Sequence, residues 1–222
     1  MGEMISFASN GGMCDGYLAD GGGPGIIVIQ EWWGLVPHIR DVVDRFASEG
    51  FTALAPDLYH GRASTEPDEA GKLMMGLNLA EAAKDMSGAV DVLRDRTGKS
   101  DIGVVGYCMG GGLALVLACQ RSDAVAAVAP YYGVIPWPTA QPSWTDLRAR
   151  VVGEYAELDD FAGPDAVRSL ENQLRSLGKD ATLNIHPGCH HAFFNDSRPE
   201  VFDRHASEVA FARTVELFRT TL

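Results

Sequence analysis

The stretch "GVVGYCMGGGLAL", residues 103–115, sets Cys108 between Gly106 and Gly110. The apolar run before the cysteine reads as a buried strand, and "MGGGLALVLACQ" after it as an apolar helix whose small residues permit close packing. A strand that turns into a helix through G-x-C-x-G has the form of a nucleophile elbow. The glycines are needed because neighbouring side chains would clash at so tight a turn. At the N-terminus of such a helix the peptide dipoles favour thiolate over thiol. A cysteine among apolar neighbours is more often a buried structural residue. Here strand, glycines and helix together predict Cys108 as a nucleophile.

Outward from the elbow, apolar β-rich runs alternate with stretches of helical period. Strands are predicted over 25–30 ("GIIVIQ"), 52–56 ("TALAP"), 101–107, 124–133, 150–156 and 182–188. Helices are predicted over 37–49, 68–96, 109–121, 164–177 and 199–220, a short antiparallel edge hairpin over 5–9 and 15–19, and a surface loop over 134–144. This alternation predicts an α/β fold: a mostly parallel, doubly wound sheet with helices on both faces. No repeat or linker divides the chain, so residues 1–222 read as a single domain.

Open α/β sheets bind their ligands beyond the carboxyl ends of the strands. Those positions carry Glu31, Asp57, Cys108, Asp159 or Asp160, and His190 or His191. A thiol nucleophile needs a base, and the order nucleophile, acid, histidine is met by "GEYAELDDFAGP" and then "HPGCHHAFFND", which also holds His186. His191 is favoured over His190 because the following "AFF" can pack the loop down and hold the ring. Cys189, His190 and His191 also offer ligands that zinc accepts, but adjacent residues seldom converge on one ion, and no metal site is expected. Glu31 ends a strongly apolar strand, where a carboxylate beside Cys108 could take the thiol proton or rest against it.

Composition narrows the partners. A net charge of −12 argues against nucleic acid, whose phosphates need clustered Lys and Arg. No apolar run approaches the ~20 residues of a membrane helix, and "MGEMISFASNGG" lacks the pattern of a signal peptide. The four cysteines form no C-x-x-C pair, and Cys108 and Cys119 on one helix would lie ~16 Å apart, beyond disulfide reach. Reduced thiols in a cytoplasm are expected.

Taken together, "IIVIQEWWGL", "APDLYHGR", "GVVGYCMGGGLAL", "EYAELDDF", "HPGCHHAFFNDSRP" and "AFARTVELFRTTL" resemble the dienelactone hydrolase family, a cysteine branch of the α/β-hydrolases. The pieces fall in family order over nearly the whole chain. The resemblance implies a cofactor-free hydrolase of a small-molecule ester or lactone, with a triad of Cys108, Asp159 and His191 and with Glu31 as the acid that controls the thiol. It implies an oxyanion hole from the backbone N–H groups of Trp32 and Met109. Members best known for dienelactone hydrolysis hold a substrate carboxylate with two arginines. Arg62 can fill the first role, the second position is Asn195, and Arg198 lies nearby. Losing one of two cations opens the way to neutral or bulkier esters, for which Trp32, Trp33 and Tyr59 could line an apolar pocket. A non-hydrolytic thiol sensor on the same scaffold is the rival reading.

Overall fold

In the computed structural model, which describes residues 1–9 and 11–222, the elbow strand lies in the middle of an eight-stranded sheet. The strands are β1 (Glu3–Ser9), β2 (Gly12–Asp20), β3 (Gly25–Ile29), β4 (Thr52–Pro56), β5 (Ile102–Tyr107), β6 (Val125–Tyr131), β7 (Arg150–Leu158) and β8 (Ala181–His190). They lie in the order β1-β2-β4-β3-β5-β6-β7-β8. β2 runs antiparallel to β1 and β4, and every other pairing is parallel.

The central strands are apolar without interruption because both faces are covered. Side chains alternate between the faces, so Ile26, Val28, Val105 and Ala127 enter one core while Ile27, Ile29, Val104 and Val128 enter the other. Helices α1 (Pro37–Ser48) and α6 (Arg204–Thr221) close the first face through Val42, Val43, Phe46, Leu217 and Phe218. Helices α3 (Leu79–Thr97), α4 (Met109–Gln120) and α5 (Pro164–Ser176) close the second through Met86, Leu93, Leu113, Leu117 and Leu174. Each fully buried side chain of this size contributes about 1.5–3 kcal/mol relative to exposure.

The structure departs from the sequence-based expectations at element ends. The helix expected over 68–96 is two, α2 (Pro67–Met75) and α3, because the Asn78 side chain accepts from the Glu81 N–H at 3.3 Å and starts a new helix. The last helix begins at Arg204 rather than 199, where Asp203 accepts from the Ala206 N–H at 2.8 Å. The hairpin is longer than expected, and its second strand is interior to the sheet, since β2 also pairs with β4. The 134–144 loop holds a 3-10 turn at Pro138–Ala140, a second follows at Trp144–Asp146, and Trp137 is buried. Among the described residues no helix is long and apolar enough to cross a membrane, and all four cysteines are free and buried.

Candidate active site

Cys108 stands between β5 and α4 with φ 55° and ψ −121°. A non-glycine residue held there costs about 1–3 kcal/mol, so its surroundings must over-determine the turn. They do so through backbone contacts. The Cys108 N–H donates to the Tyr131 carbonyl at 3.1 Å, and its own carbonyl accepts from Gly111 at 3.0 Å and Val134 at 3.2 Å. A Cβ on Gly106 would lie 2.0 Å from the Gly110 carbonyl oxygen, and one on Gly112 would lie 1.9 Å from that of Val134. The glycines of "GYCMGGG" therefore let β5, α4 and the end of β6 meet at backbone distance. Met109 opens α4, where its N–H has no intrahelical acceptor.

The acid and the base arrive on the next two strand ends. Asp159 follows β7 and is buried; its Oδ1 accepts from the Phe161 and Ala162 N–H groups at 2.8 and 3.0 Å, and its Oδ2 meets His191 Nδ1 at 2.8 Å. Burial works to raise the Asp159 pKa, but the His191 hydrogen bond and charge and the two backbone donors outweigh it and hold the carboxyl below its usual range. His191 lies just beyond β8, with Asp159 on its Nδ1 and Cys108 among the groups that act on its charge. Burial disfavours its charged form, yet the hydrogen bonds and charges of Asp159 and Cys108 prevail and push its pKa up to about 10. The rings of Tyr132 and Phe161 pack edge-on against the imidazole at 5.0 and 5.1 Å between centroids.

Glu31 is buried beyond β3 and both its oxygens are occupied. Tyr132 Oη donates to Oε1 at 3.1 Å and Asn195 Nδ2 to Oε2 at 2.6 Å. Tyr132, with φ 36°, was not singled out from sequence; its signal is its place at a strand end before Gly133, whose Cα lies 2.7 Å from where a Gly111 Cβ would be.

These groups open on a cavity of about 580 Å³ that Glu31, Cys108, His191, Trp32 and Trp33 help to line. The remaining substrate-binding candidates lie elsewhere. Tyr59 is buried, with its hydroxyl 3.3 Å from Met109 Sδ, so it braces the elbow. Arg62 is exposed and outside the lining. Asn195 is buried with its amide committed to Glu31, and its Oδ1 accepts from the Ser197 N–H at 3.1 Å. Arg198 does line the cavity, stacked over Trp33 with the guanidinium 5.7 Å from the ring centre.

The other candidate acids and histidines have separate work. Asp57 accepts from the Tyr59 and Gly61 N–H groups and shapes the loop after β4. His186 is buried against Glu154 at 2.6 Å, in a cluster with Arg213, and packs 4.8 Å from Phe193, two residues past His191. His190 and Asp160 line the cavity without joining the Asp159–His191 pair. Cys189 is buried, which pushes its thiol pKa up to about 11. Among the described residues no group of three or more His, Cys, Asp or Glu side chains converges to hold a metal ion.

Known proteins bear on this arrangement. The model of the dienelactone hydrolase family matches residues 15–222. "Protein usf" of Aquifex pyrophilus is 35% identical over the full length of both chains. The "Putative carboxymethylenebutenolidase" of Aquifex aeolicus (strain VF5) is 33% identical, again over the whole of both. The crystal structure of a "Putative Dienelactone Hydrolase" from Klebsiella pneumoniae subsp. pneumoniae MGH 78578 superposes with a TM-score of 0.89 at 25% identity, covering 99% of this chain and 98% of that one. The eight-stranded, mostly parallel sheet is thus an α/β-hydrolase fold.

Proposed function

Because the chain belongs to the dienelactone hydrolase family, we propose that it is an ester or lactone hydrolase working through Cys108, His191 and Asp159 and a thioester acyl-enzyme. The observation that supports this is the 2.8 Å hydrogen bond between His191 Nδ1 and Asp159 Oδ2 in a cavity that Cys108 and His191 both line.

In this reading the Cys108 thiolate attacks the carbonyl carbon of the substrate, forming a C–S bond while the carbonyl π electrons move to oxygen. The backbone N–H groups of Trp32 and Met109 receive the oxyanion. Its collapse breaks the C–O bond to the leaving alcohol, which takes a proton from the His191 imidazolium. His191 then removes a proton from water, the hydroxide attacks the thioester, and the thiolate departs. Asp159 keeps Nδ1 protonated and the ring aimed at sulfur. Glu31 acts as the buried carboxylate that can take a proton from Cys108, and Tyr132 and Asn195 hold it in position.

All eight strands share one sheet, which supports residues 1–222 as a single domain. The four free thiols support a reducing, cytoplasmic setting.

The test is turnover of an activated aryl ester by the wild type and by Cys108→Ala. Loss of turnover in the variant, with trapping of a thioester by the wild type, is the expected result. Equal turnover by both removes Cys108 from the mechanism, and a single modification without recycling leaves the thiol-sensor reading instead.

A further inference from the structure

We infer that the cavity selects a neutral, apolar ester or lactone, and that Arg198 is part of its wall rather than an anchor for a substrate carboxylate. This rests on the hydrolase reading above and names the substrate class of that site.

The first observation is the charge around the cavity. Glu31 and Asp160 line it, the His191 imidazole there is engaged by Asp159, and Arg198 is already paired: its Nε and Nη2 donate to Glu200 Oε1 at 2.9 and 2.8 Å, and its guanidinium lies over Trp33. The two side chains that the sequence offers to an anion do not reach the cavity, because Arg62 is exposed outside it and the Asn195 amide holds Glu31. A carboxylate entering here would shed water beside two carboxylates and find no uncommitted cation among the described lining residues.

The second observation is the wall itself. It is built from Trp32, Trp33, Ile135, Val167, Leu170 and Phe161, and its volume suits a small organic molecule. Leu158 and Phe161 stand on its rim with 50% and 72% of their surface exposed. Leaving two large apolar side chains in water beside a nucleophile is explained if an apolar substrate covers them. Tyr155 also lines the cavity, and its buried hydroxyl has no protein partner. That hydroxyl is shut off from solvent, so Tyr155 adds neither a charge nor an open donor to the lining.

The experiment compares para-nitrophenyl hexanoate with mono-para-nitrophenyl adipate, which has the same acyl chain length and a terminal carboxylate. The neutral ester should be favoured in kcat/KM by at least about tenfold, equivalent to ~1.4 kcal/mol. In Arg198→Gln that ratio should stay within about threefold of the wild type, and Phe161→Ser should lower it by about threefold or more by removing apolar wall. A preference for the adipate ester, or a ratio that rises about tenfold in Arg198→Gln because carboxylate turnover alone is lost, overturns the inference while leaving the hydrolase reading intact. Hydrolysis of neither ester, or equal turnover by Cys108→Ala, brings down the hydrolase reading and this inference with it.

Discussion

His191 Nδ1 meets Asp159 Oδ2 at 2.8 Å, although the two residues are 32 positions apart in the chain. The parallel pairing of β7 with β8 brings them together, ending with Leu158 opposite His190. Asp159→Asn keeps an oxygen for the Phe161 and Ala162 N–H groups but presents an amide to the imidazole, forcing the wrong tautomer. The expected result is a kcat for an aryl ester lowered by roughly 10³–10⁴, with a lower melting temperature near neutral pH because the partner that holds His191 charged is gone. Activity within a few fold of the wild type would show that Asp159 does not orient the histidine.

The pH dependence follows from the same pair. His191 has an ordinary pKa of 6.5, raised in the fold to about 10. Its stabilisation is therefore complete below about 6.5 and disappears as pH climbs through about 10. Asp159, lowered from 3.8, contributes in the opposite sense, losing its stabilisation on acidification below that value. Melting temperature should decline on the alkaline side, with a shallower decline in His191→Gln. Because the leaving alcohol needs the imidazolium proton, kcat/KM should fall near pH 10 as well; a profile still rising there would show that the leaving group does not take its proton from His191.

Asn195→Leu tests the clamp on Glu31. It strands Oε2 of a buried carboxylate that now accepts at 2.6 Å. A buried acceptor left without its donor costs about 1–3 kcal/mol, so chemical denaturation should show a loss of that size. An unchanged midpoint would mean that Glu31 finds another donor or is not held as a charge.

Gly112→Ala tests the approach of α4 to the end of β6. Its Cβ would lie 1.9 Å from the Val134 carbonyl oxygen, a backbone atom with little freedom to yield. Overpacking of this kind costs about 1–3 kcal/mol or more, and misplaces the elbow. Gly178, where an added Cβ meets nothing within 4 Å although φ is +71°, separates backbone strain from collision. Gly112→Ala should lose more stability and far more activity than Gly178→Ala.

The sheet was legible in the chain because burial on both faces demands continuous apolar runs such as "GIIVIQ", and these leave no polar alternative. The elbow was legible for a steric reason, since Gly106, Gly110 and Gly112 touch backbone. Helix ends were less so: Asn78 and Asp203 act through single side-chain caps within stretches whose periodicity runs on past them. The substrate-facing residues were least legible. Whether Arg62, Tyr59, Asn195 or Arg198 reaches the cavity depends on where loops fold and which partner is nearest, such as Glu31 for Asn195 and Glu200 for Arg198. Tyr132 escaped notice because it reads as the last residue of an apolar strand, whereas its positive φ and its bond to Glu31 exist only once the chain is assembled.

The turn that presents Cys108 is fixed by glycines and main-chain hydrogen bonds, neither of which calls on the sulfur. The elbow is thus a socket indifferent to the atom it displays. As far as the turn itself is concerned, sulfur and oxygen nucleophiles fit the same backbone, a single-base codon change apart.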